Sequence, residues 1–229
     1  MVRYILFDFD GTLVDSRQVF LAVFNQLAEK YGYRNLRQED LAALRCLSIA
    51  DRCRFLKFPL YRIPFVIYQA YHLYRKQMKD LVLFDGIREL LAGLKSRGYQ
   101  LGIISSNAEN NIREFLLHQE IDTIEEIACS GDIFGKGKMI RRFLKAKGLE
   151  NSEVIYVGDE LRDILACQKN GVKVVWVGWG FDGEELIKEA APDFIVRSPE
   201  EILRLVWEKS PVTPPTDLVS LPGFDAGHR

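Results

Sequence analysis

Two carboxylates, Asp8 and Asp10, flank one phenylalanine in the stretch ILFDFDGTLVDS, directly after an apolar run and before Gly11 and Thr12. Other polar groups stand where later apolar runs end. Ser105-Ser106-Asn107 follows LGII. Lys136 precedes a segment starting near Gly137. Gly158-Asp159-Glu160 follows VIYV, with Asp163 four residues beyond Asp159. Singly, each has an ordinary explanation, because Asp, Ser and Asn cap helices and form turns after strands and a lysine in a glycine-rich loop is usually solvated. Two aspartates, a hydroxyl, a lysine and another acidic pair, in that order and each at a strand end, point instead to phosphoryl transfer.

A phosphate monoester carries about −1.5 to −2 charges near neutral pH, so a carboxylate approaches it only if that charge is offset. Mg²⁺ takes oxygen ligands, typically a few carboxylates with waters and phosphate oxygens. Asp8 and Asp159 are suited to supply those carboxylates. Asp163, one helical turn from Asp159, is suited to orient them. Lys136 offers a point charge for the phosphoryl oxygens, and the Ser105 hydroxyl with nearby backbone N–H groups offers directional donors. Gly11 allows the sharp turn that aims both acids into one pocket. The two acids then divide the work. Asp8, in metal contact, stays ionised to attack phosphorus, and Asp10 needs a raised pKa to protonate the leaving oxygen.

Ligands of open α/β sheets bind beyond the carboxyl ends of the strands, so the elements must deliver these residues there. From Gly86 onward, short apolar strands alternate with amphipathic helices. GIRELLAGLKSRG has Ile87, Leu90, Leu91 and Leu94 on one face. GKMIRRFLKAKG and LRDILACQKNG close on Gly148 and Gly171. DGEELIKEAA reads as a helix, and SPEEILRLVWEK starts with a capping box from Ser198 to Glu201. The pattern predicts an α/β fold with a parallel sheet covered on both faces. The N-terminal strand, Val2 to Phe9, is separated from the alternation by about seventy residues that read as helical, including RQEDLAALRCL and the aromatic stretch FPLYRIPFVIYQAYHLY. The expected organisation is a core of residues 1–15 and 82–209, a helical cap of 16–81 and an extended or disordered tail of 210–229, where four of the eight prolines lie.

The formal charge of the 229 residues is −1, but it is unevenly spread. Residues 16–81 hold 12 Lys and Arg against 5 Asp and Glu, a balance of +7 that suits an anionic substrate. No apolar run approaches the roughly 20 residues of a membrane span. Only about four apolar residues precede Asp8, short of a signal-peptide core. The four cysteines form no CxxC pair and have no metal-ligand spacing with the three histidines, so buried thiols in a reducing cytoplasm are expected. With no binding motif and a near-neutral chain, neither a nucleic-acid partner nor a membrane is expected; a monomer or homodimer is.

The motifs DFDGT, SSN, Lys136 and GDELRD resemble, in order, the four motifs of the haloacid dehalogenase-like hydrolase superfamily. The long helical insertion, FDGIRELLAGLKSRGYQLGIISSN and YVGDELRDILACQKNGV resemble its phosphoglycolate-phosphatase-like branch. The resemblance implies a Rossmann-like core with an inserted α-helical cap, Mg²⁺ dependence and an aspartyl-phosphate intermediate. Carried over, Asp8 is nucleophile and metal ligand. Asp10 is the general acid/base, with its backbone carbonyl on the metal. Asp159 is a metal ligand supported by Asp163. Thr12, Ser105 or Ser106, and Lys136 hold the phosphoryl group, with Lys138 the alternative to Lys136. A dehalogenase would lack the second acid, and Asp10 argues against it. A phosphomutase shares the core chemistry, and a phosphonate hydrolase would use a cap lysine. A signalling receiver domain is far shorter, and a non-catalytic scaffold usually loses a motif aspartate.

Overall fold

The computed structural model describes residues 1–130 and 135–208. The expected tail of 210–229 lies outside them. The N-terminal apolar run forms β1 (Tyr4–Phe7), buried throughout. A short β2 (Val14–Asp15) leads into α1 (Arg17–Tyr31), α2 (Asp40–Leu44), α3 (Ile49–Phe55) and α4 (Ile63–Lys76). The chain returns through β3 (Val82–Leu83), which pairs antiparallel with β2, Val14 opposite Leu83 and Asp15 opposite Val82. The helical insertion therefore leaves and re-enters through one ribbon. The alternation follows: α5 (Ile87–Ser96), β4 (Gln100–Ser105), α6 (Glu109–His118), β5 (Ile124–Cys129), α7 (Lys136–Lys147), β6 (Val154–Gly158), α8 (Leu161–Asn170), β7 (Lys173–Val177), α9 (Glu184–Ile187), β8 (Phe194–Val196) and α10 (Pro199–Glu208).

Six strands form one parallel sheet in the order β5-β4-β1-β6-β7-β8. This is the α/β sheet expected from the pattern. After β4 and β5 fill one side of β1, the chain crosses back to place β6 on the other, a topological switch point. Phe7 pairs with Ile103 on one side and Val157 on the other. That register brings the residues following β1, β4 and β6 out side by side at one edge. Alternating side chains serve the two faces. Ile5 and Phe7 pack with Ile103, Ile155 and the α5 stripe of Ile87, Leu90, Leu91 and Leu94. Tyr4 and Leu6 pack with Tyr156, Trp176, Ile140 and Ile164.

Some elements are shorter than expected. In RQEDLAALRCL the helix is confined to the five residues of α2, and the Asp40 carboxylate is taken by the Arg37 N–H at 2.9 Å, a local turn that competes with helix. In DGEELIKEAA, α9 gives way to a 3₁₀ turn at Lys188–Ala190. Ala191, which precedes Pro192 and so disfavours helix, adopts φ of +46°. At α10 the Glu201 carboxylate accepts the N–H of Arg197 at 3.0 Å, one residue earlier than a box with Ser198 would use.

The insertion is tied to the core by a loop after β7. Asp182 is buried. One of its carboxylate oxygens pairs with Arg52 of α3, and the other accepts the Leu161 N–H at the start of α8 (2.6 Å). Arg45 donates to the Gly178 carbonyl (2.9 Å), and its own carbonyl accepts the Gly183 N–H (2.8 Å). Removing one partner of a buried pair leaves the other uncompensated. Asp182→Ala is expected to cost about 3 kcal/mol, the low end for such pairs because Arg52 keeps 18% side-chain exposure. A urea midpoint unchanged from wild type would contradict this.

Candidate active site

The β1 ladder runs one residue past its last strand position, with the Asp8 N–H donating to the Val157 carbonyl at 2.8 Å. The chain then turns tightly. The N–H groups of Leu13 and Val14 both reach the Phe9 carbonyl, at 2.9 and 3.1 Å, and Gly11 has φ of +78°. A β-carbon on Gly11 would sit 2.3 Å from the Asp159 carboxylate, so this turn also requires glycine for the close approach. Phe9, buried edge-on against Phe115 with centroids 5.4 Å apart, points into the core, so Asp8 and Asp10 are left at the edge.

Asp8 is 1% exposed. One oxygen accepts the Phe9 N–H at 2.7 Å and the other takes the Lys136 ammonium. Lys136, the first residue of α7 and 2% exposed, also pairs with Asp163. One ammonium thus serves two buried carboxylates. Lys138 is exposed. Burial pushes the Asp163 carboxyl up to about 7 although Lys136 pulls against it. Burial works against the charge of Lys136, yet Asp163 and Asp8 leave its pKa raised.

Asp10 has each carboxylate oxygen held by a different donor, Tyr74 Oη of α4 at 2.6 Å and Asn107 Nδ2 at 2.8 Å. Burial raises its pKa, the Tyr74 and Ser16 hydroxyls pull it down, and the charge of Asp8 adds to the rise. The Ser105 hydroxyl accepts the Asn107 N–H at 3.1 Å. Ser106 has different partners. Its hydroxyl accepts from Arg162 at 3.1 Å, and its carbonyl accepts from Tyr71 of α4.

Asp159 is fully buried. The Thr12 hydroxyl donates to one of its oxygens (2.8 Å) and the Phe181 N–H to the other (2.6 Å). Thr12, expected at the phosphate, has its proton directed to Asp159. Among the described residues, carboxylate oxygens of Asp8, Glu160 and Asp163 cluster within 4.8 Å of one another. Glu160 and Arg162 were not among the expected site residues. Glu160 and Asp163 form the capping box of α8, and Arg162 folds back on Glu160 with Nε 2.7 Å from its carboxylate. Arg162 thereby spans the loops after β4 and β6. The signal in the sequence was the density of charge in DELRD, four charged residues of five.

These residues suit a divalent cation. Asp8, Glu160 and Asp163 are hard oxygen donors paired with two cationic side chains, Lys136 and Arg162, and the buried Asp159 carboxyl is near enough to be raised by their negative charges. Burial, with the charges of Glu160, Asp8 and Asp163, pushes the Asp159 carboxyl well up. The surplus negative charge calls for a small oxygen-seeking cation.

The model of the haloacid dehalogenase-like hydrolases matches residues 5–177. A phosphoglycolate phosphatase of Synechococcus elongatus is 34% identical over 208 residues, covering 90% of this chain and 98% of that protein. Pyrophosphatase PpaX of Halalkalibacterium halodurans is 25% identical over 215 residues, covering 91% and 99%. The crystal structure of a predicted phosphatase from Clostridium acetobutylicum superposes with a TM-score of 0.75 at 26% identity, covering 91% and 99%. With the four motifs gathered at one sheet edge, the chain belongs to the haloacid dehalogenase-like hydrolases, and within them it is a phosphatase.

Proposed function

We propose that the chain is a Mg²⁺-dependent phosphatase that hydrolyses a small phosphomonoester, of the phosphoglycolate kind, through an aspartyl-phosphate on Asp8. The observation that carries this reading is the pairing of a buried Asp8, beside Lys136, with a doubly held Asp10 two residues on. Similarity to the Synechococcus phosphoglycolate phosphatase and the positive balance of residues 16–81 support a small, anionic substrate.

Asp8 attacks phosphorus. A bond from its carboxylate oxygen to phosphorus forms as the ester P–O bond breaks, and Asp10 gives its proton to the departing oxygen. Asp10, now ionised, takes a proton from water as that water attacks phosphorus. The Asp8–phosphate bond breaks, phosphate leaves, and both acids return to their starting states. Lys136 opposes the charge on the phosphoryl oxygens, with Ser105 or Ser106 as hydroxyl donor, and Thr12 acts through Asp159. Asp8, Asp159 and the Asp10 carbonyl are the proposed metal ligands, with Asp163 as orienting partner and Glu160 adjacent. When bound, Mg²⁺ supplies charge neutralisation at the phosphoryl group. Residues 16–81 act as a cap over the core of 1–15 and 82–209, excluding water and selecting the ester.

No described helix is long and apolar enough to cross a membrane. The four cysteines are free, which fits a reducing cytoplasm, and we read the protein as a cytoplasmic monomer or homodimer.

Purified protein with Mg²⁺ should release phosphate from members of a panel of small phosphomonoesters, and EDTA should stop the release. The protein should not retain RNA. Phosphate release from no member of the panel would replace this reading with a non-catalytic scaffold.

A further inference from the structure

Tyr74 lies on the inserted helix α4, 64 residues from the acid it touches. Its hydroxyl donates to one oxygen of Asp10 at 2.6 Å, and Asn107 holds the other at 2.8 Å. Asn107 is itself pinned within the core. Its side-chain oxygen accepts the Ala108 N–H at 2.7 Å and Asn111 Nδ2 at 3.1 Å. The two oxygens of Asp10 are thus held from two bodies, one by the core and one by the insertion. Tyr71, one turn earlier on α4, donates to the Ser106 carbonyl. One helix face therefore sets a hydroxyl on Asp10 and another on Ser106, the residue after Ser105.

One further observation bears on this contact. Ser16, between β2 and α1, is 1% exposed, and its hydroxyl lies beside both Asp10 and Tyr74.

We propose that Tyr74 is a positioning residue for Asp10: it is delivered by the helical insertion and holds the carboxyl in the orientation that transfers the proton only while the insertion is seated on the core. This rests on the phosphatase reading above. When α4 withdraws, Asp10 loses one of its two anchors. Proton delivery is then confined to the closed, water-excluded site.

The test compares phosphoryl transfer to the Mg²⁺-loaded protein by rapid quench from two esters. A simple alkyl phosphate has a leaving oxygen that needs Asp10's proton. p-Nitrophenyl phosphate has a leaving group that departs as a stable anion. Tyr74→Phe keeps the ring and removes the hydroxyl. It should slow transfer from the alkyl ester about tenfold, a fraction of a full general-acid contribution, and transfer from p-nitrophenyl phosphate less than about twofold, with KM for both close to wild type. Tyr71→Phe, which loses a bond to a backbone carbonyl, should affect both esters alike. Equal slowing of both esters by Tyr74→Phe, no slowing of either, or the same ester-selective pattern in Tyr71→Phe would overturn the proposal. A wild type that transfers phosphate from neither ester would overturn the phosphatase reading itself, a result distinct from an active wild type matched by Tyr74→Phe.

Discussion

Asp8→Asn is expected to release no measurable phosphate, a fall of more than about 10⁴-fold, while remaining folded. The amide is nearly isosteric with the carboxylate, and its oxygen can still accept the Phe9 N–H. Lys136 loses one ion pair but keeps Asp163. Because a negative charge leaves a crowded acidic cluster, the denaturation midpoint should hold or rise, the trade of stability against function common at active sites. Asp10→Asn separates the two half-reactions. Turnover should fall about 10²- to 10⁴-fold, the range for a lost general acid/base. With an activated aryl phosphate as donor, the first step needs little help from an acid, but the second still lacks its base. The phosphoenzyme should accumulate, seen as labelled phosphate on the protein that hydroxylamine removes. Asp8→Asn should carry no label. Label persisting on Asp8→Asn, or turnover within tenfold of wild type in either variant, would sink the covalent mechanism.

Much of this site was legible because strand ends are legible. An apolar run that stops at Asp8, and others that stop at Ser105 and Asp159, mark the carboxyl edge of a parallel sheet, and the central position of β1 between β4 and β6 does the rest. Gly148 and Gly171, both at positive φ, punctuated α7 and α8 as read. What escaped depends on contacts that no local pattern encodes. The ribbon of β2 and β3 is two residues per strand, too short for a period of two to register. Tyr74 reads as one more aromatic of an amphipathic helix, and only folding brings it to Asp10. Glu160 is the N-cap of α8 and Arg162 is on its first turn, where charged residues are ordinarily solvated. The family resemblance put Thr12 at the phosphate, and in the fold its hydroxyl donates to Asp159.

Lys136→Met should be the most destabilising of these substitutions, and its cost should depend on pH. Methionine approximates the length of the lysine without its charge, leaving Asp8 and Asp163 buried with no ammonium between them. Breaking a buried pair in this way costs about 3–5 kcal/mol near neutral pH. The pH dependence follows from Asp163, whose carboxyl is pushed by burial from its ordinary 3.8 to about 7 in the folded protein. Between those values the folded state holds a proton that the unfolded chain has lost. The stability from that proton is full below about 3.8 and is lost as pH rises through about 7. Asp159 and Asp10, also raised chiefly by burial, act in the same direction. Asp15 and Asp40, held low by hydrogen bonds, have the opposite sign, but their loss comes only as pH falls through their lowered values, outside a comparison of pH 5 with pH 8. Metal-free wild type should therefore show a higher urea midpoint at pH 5 than at pH 8. In Lys136→Met, Asp163 loses the ammonium that pulled its pKa down, so the decline should steepen and the cost of the substitution should be largest at pH 8. On the proposed Mg²⁺ dependence, excess Mg²⁺ should raise the wild-type midpoint most at pH 8, where the carboxylates are ionised. A cost equal at both pH values would mean that Lys136 does not carry the charge balance of this site.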